Sequence, residues 1–505
     1  MDGGLVRSQE YGQILRASSI MGGAQGLNYA LSLLRTKLVA MLLGPSGVGL
    51  LGLFSALSVL LSTASGLGFD SSGVRQVAEA GQDGDPKKLS HTVKALQRAS
   101  LVLGIVGWLL TATFAYHLSI WTFGFSNHTI SIVLLGGTVF LATITGALTA
   151  ILQGTRRISD LARVQVLTGV ATTIASVGLY WWLGKDGIVP VLILSGIANV
   201  GIAAWFVRRV QLVTIIQTPW ETWRLARRLI ALGLAFTYGA LLAALVGFVI
   251  RMIIVREFGL DAGGIYQAAW ALSGLFAAFV IGAMGADFFP RLTAAAQHNP
   301  TVNRLVNQQT EIGVLLSLPG LLITLLFAPQ AIGLFYSSEF LPAAEFLPWF
   351  SAGVFGQMIT FPMGYIQRAK GKTVWIVVSQ SHLNLLYVAL AVVLIPKYGA
   401  LSAAWAFAFT TYFHGLLVFA IARRLSGFSW ESSTFRLILS SSLFVGIAFL
   451  AQHQLTGHIE MVVCVAIAAT GSLFSLRGVS RRLTRDHRLV RLLMKLPGGQ
   501  FISGL

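Results

Sequence analysis

The stretch LLRTKLVAMLLGPSGVG, residues 33–49, returns as VIRMIIVREFGLDAGG, residues 249–264. Arg35 matches Arg251, Gly44 matches Gly259 and Gly49 matches Gly264. Working outward, Asp70 matches Asp287, Arg75 matches Arg291, Gln153 matches Gln367 and Arg208–Arg209 match Arg423–Arg424, with offsets between 214 and 217. Shared Leu and Ala say little in apolar sequence. Charges that recur at matching places inside apolar runs are rare. Two like halves in a membrane point to a transporter with its site between the halves.

Composition identifies the solvent. Of 505 residues, 55% are hydrophobic and 11% charged, with a mean hydropathy of +0.75. A soluble chain carries roughly 25% charged residues. Apolar runs of about 20 residues recur, each long enough to span roughly 30 Å of hydrocarbon as a helix. No alternating strand pattern is present, so the fold expected is an all-α integral membrane protein rather than a barrel.

The runs predict about fourteen transmembrane helices: 14–43, 48–70, 96–118, 129–153, 163–183, 187–207, 229–256, 263–286, 311–336, 344–367, 374–395, 399–421, 435–452 and 458–476. Gly44-Pro45-Ser46-Gly47 separates the first two. Pro190, Pro319 and Pro362 fall in or near spans, where they can bend a helix. The segments expected are an N-terminal lobe 1–220 (helices 1–6), a C-terminal lobe 221–430 (helices 7–12), helices 13–14 at 431–476 and a basic tail 477–505.

A net charge of +18 raises nucleic acid as a partner, but the basic residues sit in short clusters between apolar segments. With the N-terminus inside, 30 of the 36 Lys and Arg fall on inside segments. That is the positive-inside pattern of a multi-pass membrane protein with both termini cytoplasmic, and it sets nucleic acid aside. No cleavable signal peptide is expected. Trp220 to Arg228 and Arg477 to Lys495 mix basic and apolar residues. They read either as topology-setting charge or as amphipathic segments drawn to anionic membrane lipids. Cys464 has no second cysteine to pair with.

The first helix carries the candidate binding face. Gln25, Asn28, Ser32 and Arg35 lie at i, i+3, i+7 and i+10. Arg35 is nine residues before Gly44, about 13 Å inside the helix end, at a depth that costs about 2.5–3.5 kcal/mol for a lone guanidinium. The cost is met where the group faces water and an anion. Arg251 repeats the placement, so the pair is expected to face one cavity and bind phosphate with planar, permanently charged forks. The competing reading has each Arg bonded to a carbonyl or an acid. Lys37 lies about 200° around the helix from Arg35; it is a second-tier binding candidate or reaches the outer headgroups instead. Arg256, beside Glu257 and near Asp261, is a binding candidate or part of a local ion pair.

Asp70 and Asp287, each followed by Arg75 or Arg291, are read as ends of the second and eighth helices and as candidate gate residues. Ser55, Ser58, Ser62 and Ser65 form a stripe suited to close helix packing or to lining a sugar-wetted cavity. His382 and His414 are the candidate proton-titrating groups within spans. Gly371-Lys372-Thr373 lacks the preceding glycine of a phosphate loop, having Ile366 there, and Asp83-Gly84-Asp85 reads as a solvated loop. No HExxH, GxSxG or CxxC motif occurs, so neither a metal site nor catalysis is expected.

RTKLVAMLLGPSGVGLLGLF, GLGFDSSGVRQVAE, LQGTRR, GGIYQAAWALSGLF, FFPRLTAA and IPKYGALSAAWAFAFTTYFHGLLVF occur in this order. Together they resemble the polysaccharide transporters of the multidrug/oligosaccharidyl-lipid/polysaccharide flippase superfamily, specifically O-antigen translocases of the Wzx type. The resemblance covers residues 10–425 or so. It implies two pseudo-symmetric six-helix lobes in a V around a cationic central cavity. It also implies flipping of an undecaprenyl-pyrophosphate-linked oligosaccharide, an O-antigen or exopolysaccharide repeat unit of lipopolysaccharide and related polysaccharide biosynthesis, to the periplasmic leaflet. No cofactor is implied beyond a coupling ion, H⁺ or Na⁺. Two extra C-terminal helices resemble those of the peptidoglycan-precursor flippases of the same superfamily. The rival readings are such a flippase, a drug or cation antiporter, a membrane glycosyltransferase or polymerase, and a partner of other polysaccharide-assembly proteins.

Overall fold

A computed structural model describes residues 2–82, 85–455 and 457–482, with the side chains of 2–22, 276–287 and some single positions left out. Asp83, Gly84 and the tail from 483 onward lie outside the described residues. The described chain is helical throughout: α1 Asp2–Gly66, α2 Phe69–Gln82, α3 Pro86–Phe123, α4 Thr129–Gly154, α5 Ile158–Leu183, α6 Ile188–Val207 and α7 Pro219–Ala294. There follow α8 Asn299–Leu326, α9 Ala328–Phe335, α10 Leu347–Ala369, α11 Thr373–Tyr398, α12 Ser402–Ser426, α13 Ser432–Gln454 and α14 Gly457–Ser480. Among the described residues, ten helical stretches are long and apolar enough to cross a membrane. Four of them, Gly23–Gly66, Pro86–Phe123, Ile158–Val207 and Thr237–Leu275, run to 38 residues or more, well beyond one crossing.

The long helices α1 and α7 each contain one non-helical residue. Gly44 has φ 64° and ψ −175°; Gly259 has φ 84° and ψ 176°. Only glycine adopts this region at low cost, so the two matched glycines bend the chain in the same way. The repeat continues at the ends of α4 and α10. Arg157 N donates to Leu152 O at 2.8 Å and Lys372 N to Gln367 O at 2.9 Å. Inside each turn Arg156 N donates to Gln153 O and Gly371 N to Arg368 O, both at 3.0 Å, with φ of 56° and 63°.

The chain packs as two units, Met1–Gly264 with Phe335–Ser337, and Ile265–Leu334 with Ser338–Leu505. The first is centred on Val77, Leu96, Ile151, Ala203 and Val207 from α2, α3, α4 and α6. The second has a core of Leu292, Val306, Ile366, Val418 and Ala422 from α7, α8, α10 and α12. Ile151 and Ile366, Ala203 and Val418, and Val207 and Ala422 are each separated by the repeat offset. The duplicated sequence therefore builds both cores from matching positions.

Several helix ends differ from expectation. The second span stops at Gly66, where Leu67 (φ 46°) and Gly68 (φ 69°) turn the chain. Asp70 therefore does not end that span. It opens the separate helix α2, where a carboxylate complements the N-terminal dipole. Helix α3 starts at Pro86 rather than 96, because Asp85 accepts from Lys87 N at 2.8 Å and proline suits the first turn. Helix α8 starts at Asn299 rather than 311, capped by His298, and ends at Leu326 rather than 336. It runs through Pro319, as α10 does through Pro362, without a break.

Candidate functional site

One face of α1 meets α5 around a polar cavity of about 360 Å³, lined by Gln25, Asn28, Tyr29, Ser32 and Arg35 of α1 and by Gln165, Gly169 and Thr173 of α5. Gly169 makes room for this wall, since a Cβ there would collide with Asn28 Oδ1. Thr173 Oγ1 donates to Gly169 O at 2.8 Å, which leaves its lone pairs for the cavity. Arg35 is half-buried, and the buried Tyr180 of α5 lies within electrostatic range of it. Arg35 makes no hydrogen bond or ion pair among the described residues. Five polar groups of the α1 face thus converge on a cationic pocket rich in neutral donors and acceptors, suited to an anionic, hydroxylated ligand.

The α1 face follows from helical spacing alone. The α5 wall was missed. Its signal is present in sequence as Gln165, Gly169 and Thr173, a polar and small stripe at i, i+4 and i+8.

Arg251 is half-buried on α7, and its Nη1 donates to Gly247 O at 2.7 Å, one turn back in its own helix. It is not among the residues lining the Arg35 cavity. Lys37 bonds the Tyr336 carbonyl; its long stem is held by the protein instead of extending to headgroups. Arg256 donates to Trp121 O at 3.2 Å and forms no ion pair with Glu257 or Asp261 among the described residues.

Asp70 lines a second cavity of about 250 Å³ with Ser62, Thr63, Ser71, Thr143 and Thr237. Arg75 pairs with Glu79 at 2.8 Å and not with Asp70, because the i, i+4 spacing on α2 favours the former. The Asp287 side chain lies outside the described residues. In the serine stripe, Ser58 Oγ contacts Thr138 Oγ1 at 2.6 Å and Ser65 packs on Gly107, which is close helix packing. His382 and His414 sit side by side, Nδ1 to Nδ1 at 3.3 Å.

Residues 14–295 match the family described as polysaccharide biosynthesis protein. The chain belongs to that family. It is 22% identical over 378 residues to the lipid III flippase of Escherichia coli (strain K12), covering 74% of this chain and 90% of that protein. The Shigella flexneri lipid III flippase matches to the same extent. Among solved structures, a multidrug resistance MATE family transporter of the MOP superfamily, in an inward-facing conformation, superposes with a TM-score of 0.68 at 16% identity, over 79% of this chain and 95% of that one. The lipid II flippase MurJ, inward closed, superposes with a TM-score of 0.64 at 14% identity, over 92% of this chain and 99% of that one. This chain thus shares a helical membrane fold with those transporters, and the expected all-α class holds.

Proposed function

We propose that this chain is a flippase, not an enzyme. It carries an undecaprenyl-pyrophosphate-linked O-antigen or exopolysaccharide repeat unit from the cytoplasmic to the periplasmic leaflet of a bacterial inner membrane, by alternating access. The similarity to lipid III flippases supports a lipid-linked saccharide as cargo. The observation that carries the reading is Arg35, unpaired among the described residues in a polar cavity at the depth of a spanning helix. A guanidinium there offers charge-assisted bonds to phosphate oxygens, while Gln25, Asn28 and Ser32 suit sugar hydroxyls. Arg251 is the matching cation of the second repeat, with Lys37 and Arg256 as lesser contributors.

The energetics divide the substrate. A polyprenyl tail gains about 0.8 kcal/mol per buried CH₂ and stays in lipid. Only the head group needs a polar route, and the polar lining of the Arg35 cavity supports one there. Both termini lie in the cytoplasm in this reading, with Trp220 and Trp223, both exposed, beside Arg224 on anionic lipid headgroups.

The test is reconstitution in liposomes. Transfer of a lipid-linked oligosaccharide between leaflets, without export of a cationic drug, supports the reading. Drug export without lipid transfer points to an antiporter. Transfer of a peptidoglycan precursor alone points to the other flippase reading.

A further inference from the structure

His382 of α11 and His414 of α12 are 32 residues apart in sequence and meet through their Nδ1 atoms at 3.3 Å. Their rings are stacked with centroids 5.6 Å apart, and Phe413 stacks on the His382 ring at 5.5 Å. His414 is buried, at 7% exposure, and lines a cavity of about 230 Å³, with room for several waters. Gln367 of α10 lines the same cavity. It is 3% exposed and its Oε1 has no hydrogen-bond partner. A buried amide oxygen without a donor costs free energy unless water or a proton-bearing group satisfies it.

The pair has a fixed proton capacity. Two Nδ1 atoms in contact bond only when one carries hydrogen and the other offers its lone pair. A neutral pair meets this with opposite tautomers. One added proton keeps the bridge and makes its donor cationic, which strengthens the bond. A second would set two cationic N–H groups against each other. Among the described residues, Arg368 of α10 is the one other ionisable side chain lining the cavity, and its guanidinium lies over the Tyr365 ring. On α12 the Tyr412 hydroxyl donates to Ala352 O, and on α8 Glu311 is taken by Thr434 and Arg482. No carboxylate lines the cavity among the described residues, which leaves imidazole as the group there able to take up a proton.

We propose that His382 and His414 form a single proton-binding site in the second unit, loaded through the cavity at Gln367. Its occupancy would set the contact of α11 with α12. A bound proton shifts any conformational equilibrium that alters the pair, in proportion to the difference in proton affinity between the two states. This inference does not rest on the phosphate reading, because proton binding requires no substrate.

Imidazole-ring NMR of the full chain in nanodiscs, between pH 8 and pH 4, tests it, with His382→Gln and His414→Gln for assignment. In wild type, both rings are expected to shift at one shared midpoint with one proton taken up per pair. In either variant the surviving ring should titrate alone, its midpoint displaced by about one pH unit or more, a tenfold change in proton affinity. Two independent midpoints unchanged in the variants would overturn the proposal, as would a ring that titrates without moving its neighbour, or no uptake in that range. The wild-type titration stands even if a variant fails to fold.

Discussion

Gly49 and Gly264 bring two matched turns into reciprocal contact. A Cβ on Gly49 would collide with the Leu260 carbonyl oxygen, and one on Gly264 with the Pro45 carbonyl oxygen. Leu260 follows Gly259 as Pro45 follows Gly44, so each glycine packs on the counterpart of the turn that precedes the other. The two matched turns thus touch through matched residues.

Gly49→Ala and Gly264→Ala are each expected to lower stability by about 1–3 kcal/mol, because the obstructing atoms are backbone and cannot swing aside. Gly178→Ala is the control. Nothing lies within 4 Å of a Cβ there, and removing a helical glycine gains up to roughly 1 kcal/mol. Thermal unfolding in detergent reads all three. Equal melting temperatures would contradict the packing described.

The bend at Gly259 depends on backbone geometry instead of on space, since nothing crowds a Cβ there. Gly259→Ala should still cost about 1–3 kcal/mol through its φ of 84° and ψ of 176°. Gly44→Ala should cost a similar amount. An unchanged unfolding midpoint for Gly259→Ala would show that the bend is not required.

The turns after α4 and α10 share one geometry with different residues at the positive-φ position. Arg156 bears a strain that Gly371 does not. Gly371→Ala should cost about 1–2 kcal/mol, whereas Arg156→Gly should be neutral or stabilising in the same assay. Destabilisation by Arg156→Gly would mean that its side chain holds the turn.

The start of α7 is closed reciprocally. Glu221 Oε2 accepts from Thr218 N at 2.9 Å and Thr218 Oγ1 from Glu221 N at 3.3 Å. The backbone bond from Thr218, then its side-chain bond, hold the Glu221 carboxyl below the usual carboxylate range. A depressed folded value means that the cap is fully formed above the ordinary carboxylate pKa. It is lost as pH falls through the folded value. Amide protection in the first turn of α7 should therefore drop on acidification in wild type. It should be flat across that range in Glu221→Gln. A flat wild-type profile would contradict the linkage.

What could be read in advance follows from what periodicity records. The bends at Gly44 and Gly259 and the α1 face from Gln25 to Arg35 were legible, because a break or a stripe is local in sequence. Helix α2 was not: Phe69 to Gln82 is polar and amphipathic, so it trailed the preceding apolar run as its end. The α5 wall of the Arg35 cavity and the meeting of His382 with His414 were also hidden. Each depends on which helix faces which, and hydropathy spacing is silent on that. Arg75 reached Glu79 in place of Asp70 because Leu67 and Gly68 put Asp70 at the head of the same helix.

In the proposed function the Arg35 guanidinium holds the pyrophosphate head group during transfer. Losing a charge-assisted bond of this kind costs about 1.5–3 kcal/mol. Inter-leaflet transfer of a lipid-linked oligosaccharide by Arg35→Ala in liposomes should therefore fall about 10- to 100-fold below wild type, with Arg35→Lys between them. Wild-type rates in Arg35→Ala, from protein shown to be folded and equally incorporated, would contradict the account.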